Sequence, residues 1–146
     1  MSDNDNTILP GVTRRALLRR EDARGWLIKL LMREHIAEGH REFGEIYITA
    51  AHAGQVKGNH YHEHAREWFC VIQGTATMAT RVIATGESAL TELRADRPEI
   101  IEVLPGVAHA FKNDGAEMML LLAYADDPYD AKAPDERRIT LLEPDA

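Results

Sequence analysis

Short apolar stretches, each broken by glycine, proline or charge, recur from Trp26 to Ala123 and set the expected architecture. Trp26-Leu-Ile-Lys-Leu-Leu-Met32 opens after Gly25 and is too short and too evenly apolar for a surface helix, so it reads as a strand. Glu45-Ile-Tyr-Ile-Thr-Ala50 is rich in β-branched and aromatic side chains and reads the same way. Further strands are expected over the His60/His62 segment and residues 68–72, over 75–83 after the turn at Gly74, and over 99–103 and 117–123. Residues 12–20 fit either a basic helix or an edge strand, while the polar runs 35–41 and 90–98 are expected as loops. Many short strands with regular Gly/Pro punctuation and little helical periodicity favour an all-β fold, a closed antiparallel sandwich or barrel. Residues 1–11 are expected as a flexible tail, 12–125 as the barrel domain, and 126–146 as a C-terminal extension. The Ile139-Thr-Leu-Leu142 end of that extension suits packing across a subunit boundary or on its own barrel equally well.

A chain of 146 residues most simply folds as one domain with a core of useful size. No apolar run approaches the roughly 20 residues that span a bilayer. The polar, acidic start, Met1-Ser-Asp-Asn-Asp-Asn-Thr, lacks the features of a secretory signal, so a cytoplasmic location is expected. The single cysteine, Cys70, cannot form an internal disulfide and sits in an apolar strand pattern, the setting of a buried structural thiol. A formal net charge of −7 disfavours partnership with nucleic acid or an anionic membrane. It leaves room for a small anion held by local cations, for which Arg19, Arg20, Arg24, Lys57, Arg66 and Arg81 are candidates.

The chemistry concentrates in Gly54, His60, His62, Glu67, Gly74 and His109. Residues two apart on a strand face the same side, so His60 and His62 can aim two imidazoles at one point. Glu67 heads the next expected strand and can add a carboxylate. His109, in Pro105-Gly106-Val-Ala-His109, stands just before another apolar run and is a fourth candidate. Three imidazoles and one carboxylate suit a divalent transition metal, with zinc, iron, manganese and nickel all compatible. His64 falls outside this spacing, and His35, His40 and His52 carry no spacing argument and are expected to face solvent.

These two segments resemble the paired signature motifs of the cupin superfamily. Gly54, His60, His62, Glu67 and Gly74 match every fixed position of the first motif, and Gly106, His109 and Asn113 match the second. Leu104 stands where the second motif has its first proline, and Pro105 fills the variable position after it. The resemblance implies a single-domain jelly-roll β-barrel with His60, His62, Glu67 and His109 as metal ligands, and often a homodimer. Over about residues 12–135 the chain is further similar to nucleotide-sugar-modifying cupins, the dTDP-4-dehydrorhamnose 3,5-epimerases and the cupin domain of capsular-polysaccharide enzymes. Ala23-Arg24-Gly25-Trp26-Leu27, Phe43-Gly-Glu-Ile-Tyr47, Lys57-Gly-Asn-His60, Val103-Leu-Pro-Gly-Val-Ala-His109-Ala-Phe111 and Asp127-Pro-Tyr-Asp130 carry that likeness.

By resemblance, Arg24 and Lys57 would hold the diphosphate of a nucleotide-sugar through charge-assisted hydrogen bonds. In metal-free members the histidine aligned with His60 is the catalytic base, which conflicts with a ligand role for the same ring. Tyr47 and Tyr124 are further catalytic candidates whose orientation periodicity leaves open. The expected activity is epimerisation or isomerisation of a 4-keto-hexose nucleotide-sugar in surface-polysaccharide biosynthesis. Cupins host unrelated chemistries, so a metal-dependent small-molecule dioxygenase and a non-enzymatic ligand-binding or sensor protein are the alternatives. No helix-turn-helix segment accompanies the barrel.

Overall fold

In a computed structural model, residues 6–36, 43–127 and 129–146 are described. His40, most of the expected 35–41 loop, residues 1–5 of the expected tail and the proline of Asp127-Pro-Tyr-Asp130 lie outside them. Thirteen strands and one helical turn follow in order: β1 (Asn6–Leu9), β2 (Val12–Ala16), β3 (Arg19–Asp22), β4 (Gly25–Ile28), α1 (Arg33–Ile36), β5 (Glu45–Ala51), β6 (Val56–His62), β7 (Glu67–Gln73), β8 (Thr75–Val82), β9 (Ser88–Arg94), β10 (Glu99–Val103), β11 (Val107–Lys112), β12 (Met119–Ala125) and β13 (Glu136–Arg138). They form a six-stranded sheet ordered β1-β2-β10-β7-β12-β5 and a five-stranded sheet ordered β13-β6-β11-β8-β9, with β3-β4 as a separate hairpin. Every pairing between strands is antiparallel.

Strand alternation explains how the two sheets close on a shared core. From the larger sheet Val12, Phe69, Val71, Ile101, Val103, Leu121 and Ala123 point inward, and from the smaller sheet Ala76, Met78, Leu93, Val107 and Phe111 meet them. Each large apolar side chain so buried contributes about 1.5–3 kcal/mol. The uninterrupted apolar run in β7 is explained by burial on both faces. Phe69 and Val71 enter the main core, whereas Trp68 and Cys70 lie outside the sheet under Leu17, Ile28, Leu30, Leu31 and Ile36.

Several expectations are corrected. Residues 6–9 are not a loose tail: β1 pairs with β2, and Leu9 is buried. The charged run 90–98 is not a loop throughout, because β9 pairs with β8 over its whole length. Its inward positions are Ala89, Thr91 and Leu93, whose modest apolar character is masked by Glu92, Arg94 and an exposed Leu90. The strand expected from Trp26 to Met32 stops at Ile28, after which Leu30 and Leu31 leave the hairpin to cover the outer apolar cluster. Residues 33–36 make one helical turn, which takes in the first two positions of the loop expected over 35–41. The C-terminal extension lies on its own barrel, with β13 paired to β6. Among the described residues, no helix is long and apolar enough to cross a membrane.

Candidate metal centre

The antiparallel pairing of β6 with β11 sets His60 opposite His109. Two residues on, His62 shares the face of His60, and β7 opens with Glu67. One ligand atom from each of His60, His62, Glu67 and His109 lies within 4.8 Å of the others, so the structure brings the four sequence candidates together. The rings sit at centroid separations of 5.1 Å (His60–His62), 4.8 Å (His60–His109) and 6.1 Å (His62–His109). Glu67 and His109 are almost fully buried.

The hydrogen bonds around the rings show which lone pairs are free. His109 Nδ1 lies 3.3 Å from the Val107 carbonyl, which can only accept, so the proton of the neutral ring is assigned to Nδ1. Its Nε2 lone pair then faces Glu67 Oε1 at 3.2 Å. His62 presents Nε2 to the same oxygen, also at 3.2 Å, while its Nδ1 lies 3.4 Å from Asp135 Oδ2. A carboxylate on the outer nitrogen favours the tautomer whose inner nitrogen is bare. Lone pairs aimed at a carboxylate oxygen repel unless a proton or cation lies among them.

Two buried atoms, His60 Nδ1 and His109 Nε2, make no hydrogen bond of acceptable alignment. Glu136 Oε1 does stand 3.0 Å from that His60 nitrogen. That contact is misaligned for a hydrogen bond and leaves the nitrogen's lone pair unsatisfied. Burial, reinforced by His109 and His62, depresses the His60 pKa to about 3, so the ring stays neutral at physiological pH. Burial alone would raise the Glu67 pKa, but the three imidazoles reverse this and hold its carboxyl below the usual range. Three imidazoles around one carboxylate, with two orphaned nitrogens, fit a divalent cation with open positions.

His60, His62 and Glu67 form one wall of a cavity of about 490 Å³ that also takes in Glu45, Tyr47, Asp127, Tyr129, Asp130 and Asp135. Tyr47 donates from its hydroxyl to Glu67 Oε2 at 3.3 Å, and burial together with Glu67 raises its pKa well above the usual phenol. A smaller cavity of about 120 Å³ behind it is lined by Tyr47, Lys57, His60, Phe69, His109 and Phe111, among others.

Not every candidate arrives here. Tyr124 points to the opposite face of its sheet, stacking near Trp68 in the outer cluster, which corrects its expected catalytic role. The structure does not bring Arg24 to the cavity: it sits on the exposed β3-β4 hairpin with its guanidinium on Asp22 at 2.6 Å. Lys57 reaches the smaller cavity but does not line the larger one. Sequence reasoning missed Asp135 and Glu136, which reach the histidines only because β13 pairs with β6. It also missed Tyr129 as a lining residue, for which the quoted Asp127-Pro-Tyr-Asp130 run was the available signal.

The polysaccharide biosynthesis C-terminal domain family matches residues 20–137. UDP-2-acetamido-2,6-beta-L-arabino-hexul-4-ose reductase of Pseudomonas aeruginosa is 31% identical over 114 residues, 78% of this chain and 29% of the reductase. The chain thus spans under a third of that relative's length. Spore coat polysaccharide biosynthesis protein SpsL of Bacillus subtilis is 24% identical over 137 residues, 90% of this chain and 89% of that one. A double mutant of ChmJ, a 3'-monoepimerase from Streptomyces bikiniensis in complex with dTDP, superposes with a TM-score of 0.83 at 15% identity, covering 94% of this chain and 73% of that one. The fold is a cupin-type barrel shared with that structure.

Proposed function

We propose, for a chain that belongs to the polysaccharide biosynthesis C-terminal domain family, that it is a metal-binding epimerase or isomerase acting on a 4-keto nucleotide-sugar in surface-polysaccharide biosynthesis. The observation that carries this reading is the convergence of His60, His62, Glu67 and His109, the first three of them on the wall of a sugar-sized cavity. A volume of about 490 Å³ is within the range of small-molecule sites. The related reductase and SpsL, by their names, act in sugar and polysaccharide chemistry, which agrees.

A 4-keto group acidifies the neighbouring C–H, because the carbanion left behind delocalises into an enolate. A divalent cation held by His60, His62, Glu67 and His109 would supply Lewis-acid stabilisation of that developing oxyanion. The protein's own groups supply the rest. With the His60 lone pair given to the cation, proton abstraction falls to a cavity carboxylate, Glu45, Asp127 or Asp130. Tyr47 stays protonated at neutral pH and is suited to donate rather than accept.

The lining holds six carboxylates and, among the described residues, no lysine or arginine. It therefore suits the uncharged sugar ring, and the diphosphate is carried outside it. Lys57 remains our candidate for that contact. A cytoplasmic homodimer completes the reading; the exposed Ile46 and Ile48 on the outer face of β5 support association, which sedimentation would test.

The central test is incubation of metal-loaded protein with 4-keto nucleotide-sugars in deuterated water. Deuterium is expected to enter at the carbon beside the ketone. No exchange across several such sugars, with metal bound, overturns the epimerase reading and leaves a binding protein or an oxygenase.

A further inference from the structure

The Lys57-Gly-Asn-His60 run carries a device that the proposed reaction does not use. The register of β6 against β11 slips between Ala110↔Gly58 and His109↔His60, so Asn59 is the extra residue of a β-bulge. Gly58 and Asn59 both take left-handed backbone conformations, φ 91° and 60°, and Asn59 is the sole non-glycine residue with positive φ among the described residues. Gly58 is required there, since a Cβ would sit 2.8 Å from the His109 carbonyl oxygen.

The bulge sets Asn59 out of the β6-β11 ladder, and the C-terminal segment takes its carbonyl and both polar atoms of its side chain. Ile139 N–H donates to the Asn59 carbonyl at 3.0 Å. The N–H groups of Leu141 and Leu142 donate to its side-chain oxygen at 2.9 and 3.2 Å, and its amide nitrogen donates to the Leu142 carbonyl at 3.0 Å. Immediately before this clamp runs β13, with Glu136 opposite His62 and Arg138 opposite His60. At its start Asp135 accepts from the backbone N–H groups of Glu63, His64 and Ala65, and stands 3.4 Å from His62 Nδ1. Glu136 stands 3.0 Å from His60 Nδ1.

We propose that Asn59 is a positioning residue of the centre: by clamping residues 139–142 it holds Asp135 beside the Nδ1 nitrogen of His62. The proposal rests on the metal reading above. Carboxylates on the outer nitrogens of ligating histidines orient the rings and raise their basicity, and their loss weakens metal affinity about 10–100-fold. Asn59 thus couples the C-terminal segment to cation affinity without touching the cation.

The test compares wild type, Asn59→Gly and Asn59→Asp. Glycine keeps the left-handed backbone and removes only the side chain; aspartate keeps the acceptor and loses the donor. Two quantities are read: amide hydrogen exchange of residues 139–145 in metal-free protein, and zinc affinity by chelator competition, with the cobalt visible spectrum as a report on ligand geometry. Asn59→Gly is expected to exchange faster at these amides, bind zinc about tenfold or more weakly and shift the cobalt bands, with Asn59→Asp in between. In an Asp135→Asn background, Asn59→Gly should add little further loss of affinity, because the effect runs through that carboxylate.

Wild-type zinc affinity in Asn59→Gly, or full additivity with Asp135→Asn, overturns the proposal while leaving the metal reading intact. Wild-type protein that takes up neither zinc nor cobalt overturns the metal reading and this proposal together, whatever the exchange shows.

Discussion

Asn113 offers the most direct measurement of what holds the site's two motifs together. Its side chain is fully buried. The amide donates to the carbonyls of Ala51 at 2.9 Å and Glu117 at 2.8 Å, and its oxygen accepts from Gly115 N–H at 2.9 Å. Its backbone carbonyl accepts from Gly54 N–H at 2.7 Å, and its own N–H donates to Gln55 at 3.0 Å. The last residue of the second motif is therefore bonded to the first residue of the first. Substitution by alanine removes the three side-chain bonds, each worth about 1 kcal/mol net, and leaves buried partners behind at about 1–3 kcal/mol where water cannot reach them. We expect Asn113→Ala to lose about 3–5 kcal/mol, a large share of the roughly 5–15 kcal/mol of a typical domain. Urea unfolding followed by circular dichroism checks this, with an unchanged m-value as the sign that only stability moved. A loss below about 1 kcal/mol at constant m would show that these bonds are replaced by water or relaxation, and the reasoning would fail.

Other outcomes test the centre and its surroundings. His60→Ala and His109→Ala should each lose bound metal while keeping the β-sheet spectrum, and zinc at about 1,000 times its dissociation constant should stabilise wild type by about 4 kcal/mol but neither variant; unchanged metal content per chain would refute the ligand set. Tyr47→Phe should retain metal yet lower the deuterium-exchange rate about 10²–10⁴-fold, as loss of a proton donor does; an unaltered rate removes Tyr47 from the chemistry. Burial pushes the Cys70 thiol up to about 11, above the roughly 8.5 of an unfolded chain. The stability that follows from favouring the thiol is complete below about pH 8.5 and lost as pH rises through about 11. Wild type should therefore lose urea resistance between pH 8 and 10.5 more steeply than Cys70→Ala, and a parallel loss would contradict it.

The ligand set was legible because strand periodicity is local: His60 and His62 share a face at a spacing of two wherever a strand forms, and β7 is apolar enough to be recognised at a glance. β9 was less legible, since an edge strand buries only one face and Ala89, Thr91 and Leu93 give that face little apolar signal. Tyr47 and Tyr124 show the boundary most clearly. Tyr47 lies in an expected strand and Tyr124 one residue past the end of another, yet one hydroxyl meets Glu67 and the other ring lies behind the sheet, because the phase of each strand against its neighbours assigns the face.

Composition and spacing by themselves determined a strand-rich chain, its cupin-like motifs and the three imidazoles with one carboxylate. Tertiary structure alone decided that Arg24 stands away from the cavity and that Asp135 and Glu136 reach the histidines. It also decided that residues 139–142 close on Asn59. The physical reason is the range of the information. A side chain's own strand fixes its alternation, whereas pairing partners some 80 residues away depend on which edge of the sheet is left with unpaired backbone groups, and only the folded chain decides that.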